Sequence, residues 1–144
     1  MSASQFVILL VEDNPGDARL VMEALSHHAA AGQVRHVADG AEALAFLRRE
    51  GAHHQAPRPA LILLDLNLPR CSGREVLAVI KADTALRRIP VVVLTTSQAE
   101  DDVLAAYNLH ANCYVPKPPD LEGYLQAIRS IEEFWLRTAR LPSE

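Results

Sequence analysis

The chain has 144 residues, 49% hydrophobic and 22% charged, with a net charge of −4; this suits one domain with a real core and excludes a disordered chain. Acids outnumber bases 18 to 14, against the basic footprint that nucleic-acid binding needs, and no apolar run approaches the roughly 18 residues of a membrane span. The start, MSASQFVILLVEDN, lacks a secretory n-region and cleavage site, and the two cysteines, Cys71 and Cys113, make neither a disulfide framework nor a zinc signature, so a cytoplasmic protein with reduced thiols is expected.

Residues 6–11 are a continuous apolar run, as in a strand buried on both faces of a parallel sheet. Asn14-Pro15 then suits a helix start, and Ala18, Val21, Met22 and Leu25 fall on one helical face. A weaker strand follows at 33–37. Asp39 and Glu42 have capping-box spacing ahead of Ala43, Leu44 and Leu47. A polar loop over 50–59 leads to a strand at 61–64. Ser72 and Glu75 form a second box ahead of Val76, Leu77 and Ile80. The β-branched run 91–94 is a fourth strand. Ser97 and Glu100 form a third box ahead of Val103, Leu104 and Tyr107. A short strand at 113–115 precedes a last helix, over about 120–138, that Asp120 caps and that carries Leu121, Leu125, Ile128, Ile131 and Trp135.

Five βα units in one domain imply an α/β fold: a doubly wound, flavodoxin-like parallel sheet of five strands in order 2-1-3-4-5. Such sheets bind ligands beyond the carboxyl ends of their strands, near the switch point between strands 1 and 3. Glu12 and Asp13 follow the first strand, Asp65 ends the third, Thr95 the fourth, and Lys117 follows the fifth. Carboxylates gathered at one edge repel unless a cation neutralises them, and an oxygen-rich set suits Mg²⁺. With a hydroxyl and a lysine added, the group matches phosphoryl transfer to an Asp nucleophile.

In order and spacing, LLVEDN, LLDLNLP, VVVLTTS and CYVPKP resemble the receiver domains of two-component response regulators. The resemblance covers about residues 6–130. It implies that Asp65 accepts a phosphoryl group from a histidine kinase. It implies that Asp13, Asp65 and the Asn67 carbonyl bind Mg²⁺, with Glu12 acting through water. Lys117 would pair with Asp65, Thr95 would swing onto the phosphoryl group, and Tyr114 would turn inward after it. A cis Lys117–Pro118 bond is also implied. DLNLPRCSGREVLAVIK, YNLHANCYVPKP and IEEFWLRTARLP further resemble stand-alone regulators that serve bacterial phytochrome histidine kinases. Departures are Pro119, where many receivers carry an aromatic, and His110 and Cys113, where Gly or small residues are usual.

Past the usual receiver end, residues 131–144 are too few for a DNA-binding module, so output by protein contact is expected. Phe134, Trp135, Leu136 and Leu141 keep apolar character there. They either pack back on the domain or form a surface for partners or a homodimer. The rival readings are a degenerate receiver that only binds partners and an Asp-nucleophile phosphatase. The latter typically wants a second acid two residues after the nucleophile, where Asn67 stands. The pairs His27-His28 and His53-His54 point to different faces and suit solvent better than a metal.

Overall fold

The computed structural model describes residues 6–26 and 33–142; His27 and His28 lie outside the described residues. Strands β1 (Val7–Val11), β2 (Gln33–Val37), β3 (Leu61–Leu64), β4 (Val91–Thr95) and β5 (Cys113–Pro116) form one parallel sheet in the order β2-β1-β3-β4-β5. They alternate with helices α1 (Pro15–Ser26), α2 (Gly40–Arg48), α3 (Gly73–Ala82), α4 (Glu100–Asn108) and α5 (Leu121–Glu132). The expected order is therefore the observed one.

Side chains alternate across a strand, and β1 shows how that builds two cores. Leu9 and Val11 join Phe46 of α2 and Val76, Leu77 and Ile80 of α3 on one side of the sheet. Ile8 and Leu10 point to the other side, against Val21 and Leu25 of α1 and Ile128 of α5. Strands buried on both faces have no polar side to show, which is why β1, β3 and β4 read as unbroken apolar runs. In β5, at the sheet edge, Cys113, Tyr114 and Val115 are half-buried.

The helix starts follow the expected side chains, with one exception. Ser72 accepts from the Glu75 N–H at 3.2 Å while Glu75 accepts from the Ser72 N–H at 2.9 Å, a reciprocal box. Asp39 accepts from the Glu42 N–H at 2.7 Å, and Asp120 from the Gly123 N–H at 2.8 Å. The third box does not form. Helix α4 starts beyond Ala99 with no side-chain cap; the Ser97 hydroxyl accepts from the Ala99 N–H at 3.3 Å and donates to Asp102, not reaching the Glu100 N–H. Of the apolar stripe expected on α4, Val103 is half-buried and the other two residues face outward. Leu104 is 58% and Tyr107 47% exposed, and the residue that the sheet buries is the small Ala106. Met22 of α1 is likewise exposed.

The last helix is α-helical only to Glu132. Residues Glu133–Thr138 widen into a π-helical segment, with the Ala139 N–H donating to the Phe134 carbonyl at 2.7 Å. That wider turn sets which side chains face the core. Leu136 turns into the layer between sheet, α1 and α5 and is buried, so of the two alternatives it packs back on the domain and is not part of a partner surface. Phe134 is 51% exposed, and half-buried Trp135 meets it edge-on with ring centroids 5.1 Å apart. Among the described residues no helix is long and apolar enough to cross a membrane.

Candidate functional site

Val11 of β1 stands beside Leu64 of β3 in the ladder. The next residues are the acids. The Asp65 N–H donates to the Val11 carbonyl and the Glu12 N–H to the Val37 carbonyl, both at 3.1 Å. Glu12 and Asp65 therefore leave the sheet from backbone that is still hydrogen-bonded, which holds them rigidly. Both are buried, whereas Asp13 is exposed. Carboxylate oxygens of Glu12, Asp13 and Asp65 lie within 4.8 Å of one another. Gly73, the first residue of α3, lets the helix start approach this turn. A Cβ there would overlap the Asp65 carbonyl oxygen and the Leu66 Cα.

Lys117 reaches the site from the loop after β5. Its Nζ donates to Glu12 Oε1 at 2.6 Å, Asp17 Oδ2 at 3.0 Å and Asp65 Oδ2 at 3.3 Å. Burial alone would lower its pKa. The hydrogen bonds to Glu12 and Asp17 and the charges of Asp65 and Glu12 outweigh burial and hold it above the usual lysine value. Burial pushes Glu12 the other way, from 4.5 to about 7; Asp65 adds to the rise, while Lys117 and the Asn14 N–H oppose it. Asp17 was not singled out in the sequence. It sits in the first turn of α1, where an acid is expected for the helix dipole alone.

The cavity around these groups, about 360 Å³, is also lined by Asn67 and Thr96. Asn67 donates its backbone N–H to Asp65 Oδ1 at 3.0 Å, so Asn67 and Lys117 each hold one oxygen of the Asp65 carboxylate. Thr95 is fully buried in β4 and does not line the cavity; its hydroxyl has no hydrogen-bond partner among the described residues. Tyr114 is half-buried and donates its hydroxyl to the Ser97 carbonyl at 2.9 Å. The expected cis Lys117–Pro118 bond is not found. No peptide bond among the described residues is cis, and trans is the favoured form even before proline.

Four carboxylates, Glu12, Asp13, Asp17 and Asp65, against one ammonium leave the cavity net negative. The ligands are hard oxygens, and Asp13 is open to solvent. This donor set fits a small divalent cation such as Mg²⁺ that keeps some of its waters. The other candidates lead elsewhere. Cys71 and Cys113 are free and half-buried, and burial pushes both thiols up, away from the reactive thiolate. His53 stacks near Phe46 and faces Glu42 at 3.6 Å, while His54 contacts the Gly51 carbonyl, so the pair shares no ligand.

Comparison with known proteins agrees with this geometry. Residues 8–129 match the family model "Response regulator receiver domain". The chain is 53% identical to the response regulator Rcp1 of Synechocystis sp. over 137 residues, covering 95% of this chain and 93% of that one. It superposes with a TM-score of 0.95 on the phosphorylated cyanobacterial phytochrome response regulator RcpA, at 55% identity over 97% of this chain and all of that one. It superposes at 0.93 on the Mn²⁺-bound form of Rcp1, at 52% identity over 96% and 99% of the two chains. With residues 8–129 matched by the family model and nearly the whole chain matched by these relatives in sequence and fold, the chain belongs to the response regulator receiver domain family.

Proposed function

We propose that this chain is a cytoplasmic regulator that takes a phosphoryl group from the phosphohistidine of a sensor histidine kinase onto Asp65 and signals by protein contact. One observation carries this reading. Asp65 is buried between Lys117 and the Asn67 N–H in a cavity that also gathers Glu12 and Asp13.

In the transfer, an Asp65 oxygen forms a bond to phosphorus as the phosphorus–nitrogen bond to the kinase imidazole breaks. Bound at Asp13, Asp65 and the Asn67 carbonyl, with Glu12 acting through water, Mg²⁺ would neutralise charge on the carboxylate and the phosphoryl oxygens. Lys117 adds a second positive charge, already held within 3.3 Å of Asp65. The Thr95 hydroxyl, buried without a partner, gains one when it turns to a phosphoryl oxygen, and Tyr114 then moves inward. That is a two-state switch biased by local charge. The chain assists its own phosphorylation and dephosphorylation and turns over no other substrate.

The likeness to RcpA, a phytochrome response regulator, supports a phytochrome-type kinase as the donor. A homodimer is supported by large apolar side chains left exposed on α4, α5 and the π-helical segment: Leu104, Tyr107, Leu121 and Phe134. Trp135 and Leu141 are half-buried beside them in sequence, and Leu136 is excluded by its burial.

The test is intact mass after incubation with Mg²⁺ and acetyl phosphate. A gain of one phosphate that vanishes in Asp65→Asn and without Mg²⁺ is expected. No gain in the wild type leaves a module that only binds partners. For the dimer, light scattering should show a smaller solution mass for Phe134→Asp than for the wild type; two equal monomers would end that part of the reading.

A further inference from the structure

At the opposite end of the sheet from Asp65, the amino ends of β1, β3 and β4 and the tail after α5 enclose a cavity of about 790 Å³. Its size lies within the roughly 300–1,000 Å³ of small-molecule sites. Its charge is one-sided. Arg58, Arg88, Arg137 and Arg140 line it, and among the described residues no Asp or Glu does, in a chain whose acids outnumber its bases 18 to 14. Arg137 is paired with Glu133 and Arg58 is held in place by donating to the Leu47 carbonyl at 3.0 Å. Arg88 and Arg140 are exposed and have no acidic partner among the described residues. A cleft lined by one sign of charge focuses its field and draws in the opposite sign. Phe6, Ile89 and Leu141 add an apolar lining beside the arginines. The walls from Arg137 to Pro142 lie beyond residue 129, where the match to the receiver family ends, so this cavity is not built from the shared receiver fold alone.

We infer that this cavity is a second ligand site, separate from Asp65, for a small molecule of nucleotide class. The planar forks of Arg88 and Arg140 match phosphate oxygens two at a time. The apolar lining suits a flat base. With Arg137 paired to Glu133, one phosphate at about −1.5 to −2 charge would still leave part of the charge of Arg58, Arg88 and Arg140 unanswered, so a diphosphate or larger is expected. An acidic metal-free pocket repels such a ligand, which keeps the two sites chemically distinct.

The experiment is calorimetric titration of the full chain with ADP in chelator-containing, Mg²⁺-free buffer, where the Asp65 cavity offers anions no cation. Saturable one-to-one binding is expected. It should weaken at least tenfold in Arg88→Ala/Arg140→Ala, weaken less in Arg88→Lys/Arg140→Lys, and stay unchanged in Asp65→Asn. Because Arg88 and Arg140 are exposed, unchanged circular dichroism is expected for the variants. Adenosine and pyrophosphate alone should each bind more weakly than ADP. The proposal is overturned if ADP shows no saturable binding, if the arginine variants bind as well as the wild type, or if pyrophosphate binds as tightly as ADP.

Discussion

Ser97 donates its hydroxyl to the Asp102 carboxylate at 2.5 Å, joining the β4–α4 loop to the first turn of α4. The same carboxylate takes an ion pair from Arg74 of α3, and Ser97 offers its carbonyl to the Tyr114 hydroxyl. The hydrogen bond from Ser97 and then that from Arg74 hold the Asp102 carboxyl below its usual pKa. One acid thus ties the loop beside the Asp65 cavity to α3 and, through Ser97, to Tyr114. Asp102→Ala should free that loop and shorten the life of the Asp65 phosphate several-fold, followed as loss of the phosphate mass with time. Ser97→Ala should do the same, and Arg74→Ala about half as much. Unchanged lifetimes in all three would remove the latch.

The Glu12 carboxyl gives a pH signature. Its pKa stands at about 7 in the folded chain, against 4.5 ordinarily, so between those values the folded chain holds a proton that the unfolded chain has lost. The associated stability is full below the lower value and is lost as pH rises through the upper one. In Mg²⁺-free urea titrations the wild type should lose roughly 1–3 kcal/mol across that window, and Glu12→Gln should flatten the slope. Mg²⁺ competes with the same proton, so its affinity should rise with pH up to about 7. A slope unchanged in Glu12→Gln would assign it to another group.

Gly73 is a steric prediction. Its missing Cβ makes room for the Asp65 carbonyl and the Leu66 backbone. Overpacking costs about 1–3 kcal/mol or more when backbone must move. Gly73→Ala should lower stability by at least that amount and slow phosphorylation from acetyl phosphate, because the backbone it displaces carries Asp65. Arg74→Ala, one residue along and exposed, should leave the rate of phosphorylation near that of the wild type.

Tyr124 of α5 is buried, and its hydroxyl has no hydrogen-bond partner among the described residues. Burial holds that phenol above its usual pKa; the charge of Lys117 opposes the rise and that of Asp17 adds to it. A buried unpaired hydroxyl costs about 1–3 kcal/mol. Tyr124→Phe should therefore stabilise the chain by about 1 kcal/mol in urea unfolding, with phosphorylation intact. A loss of stability would mean that the hydroxyl has a partner.

Residues at strand ends were legible because a parallel doubly wound sheet gathers them by topology alone. Period and strand order place Asp13, Asp65 and Lys117 at one edge before any side chain is positioned. Local caps were legible where the partner is three residues away, as at Ser72–Glu75. The sequence by itself thus determined the sheet order, the edge that carries the chemistry and three of its acids, Glu12, Asp13 and Asp65, but not Asp17.

Tertiary structure decided the rest. Lys117 bonds to Glu12 and Asp17 across about 100 intervening residues, and nothing in either neighbourhood announces the meeting. Thr95 and Thr96 are adjacent hydroxyls, and only the strand's pleat decides that one is buried while the other lines the cavity. On α4, helical period marks a stripe but not its direction, and the sheet covers Ala106 rather than Leu104 and Tyr107. The widened turn after Glu132 buries Leu136 and exposes Phe134, neighbours but for one residue. Periodicity says which residues share a face; which face is covered depends on what the rest of the chain brings against it.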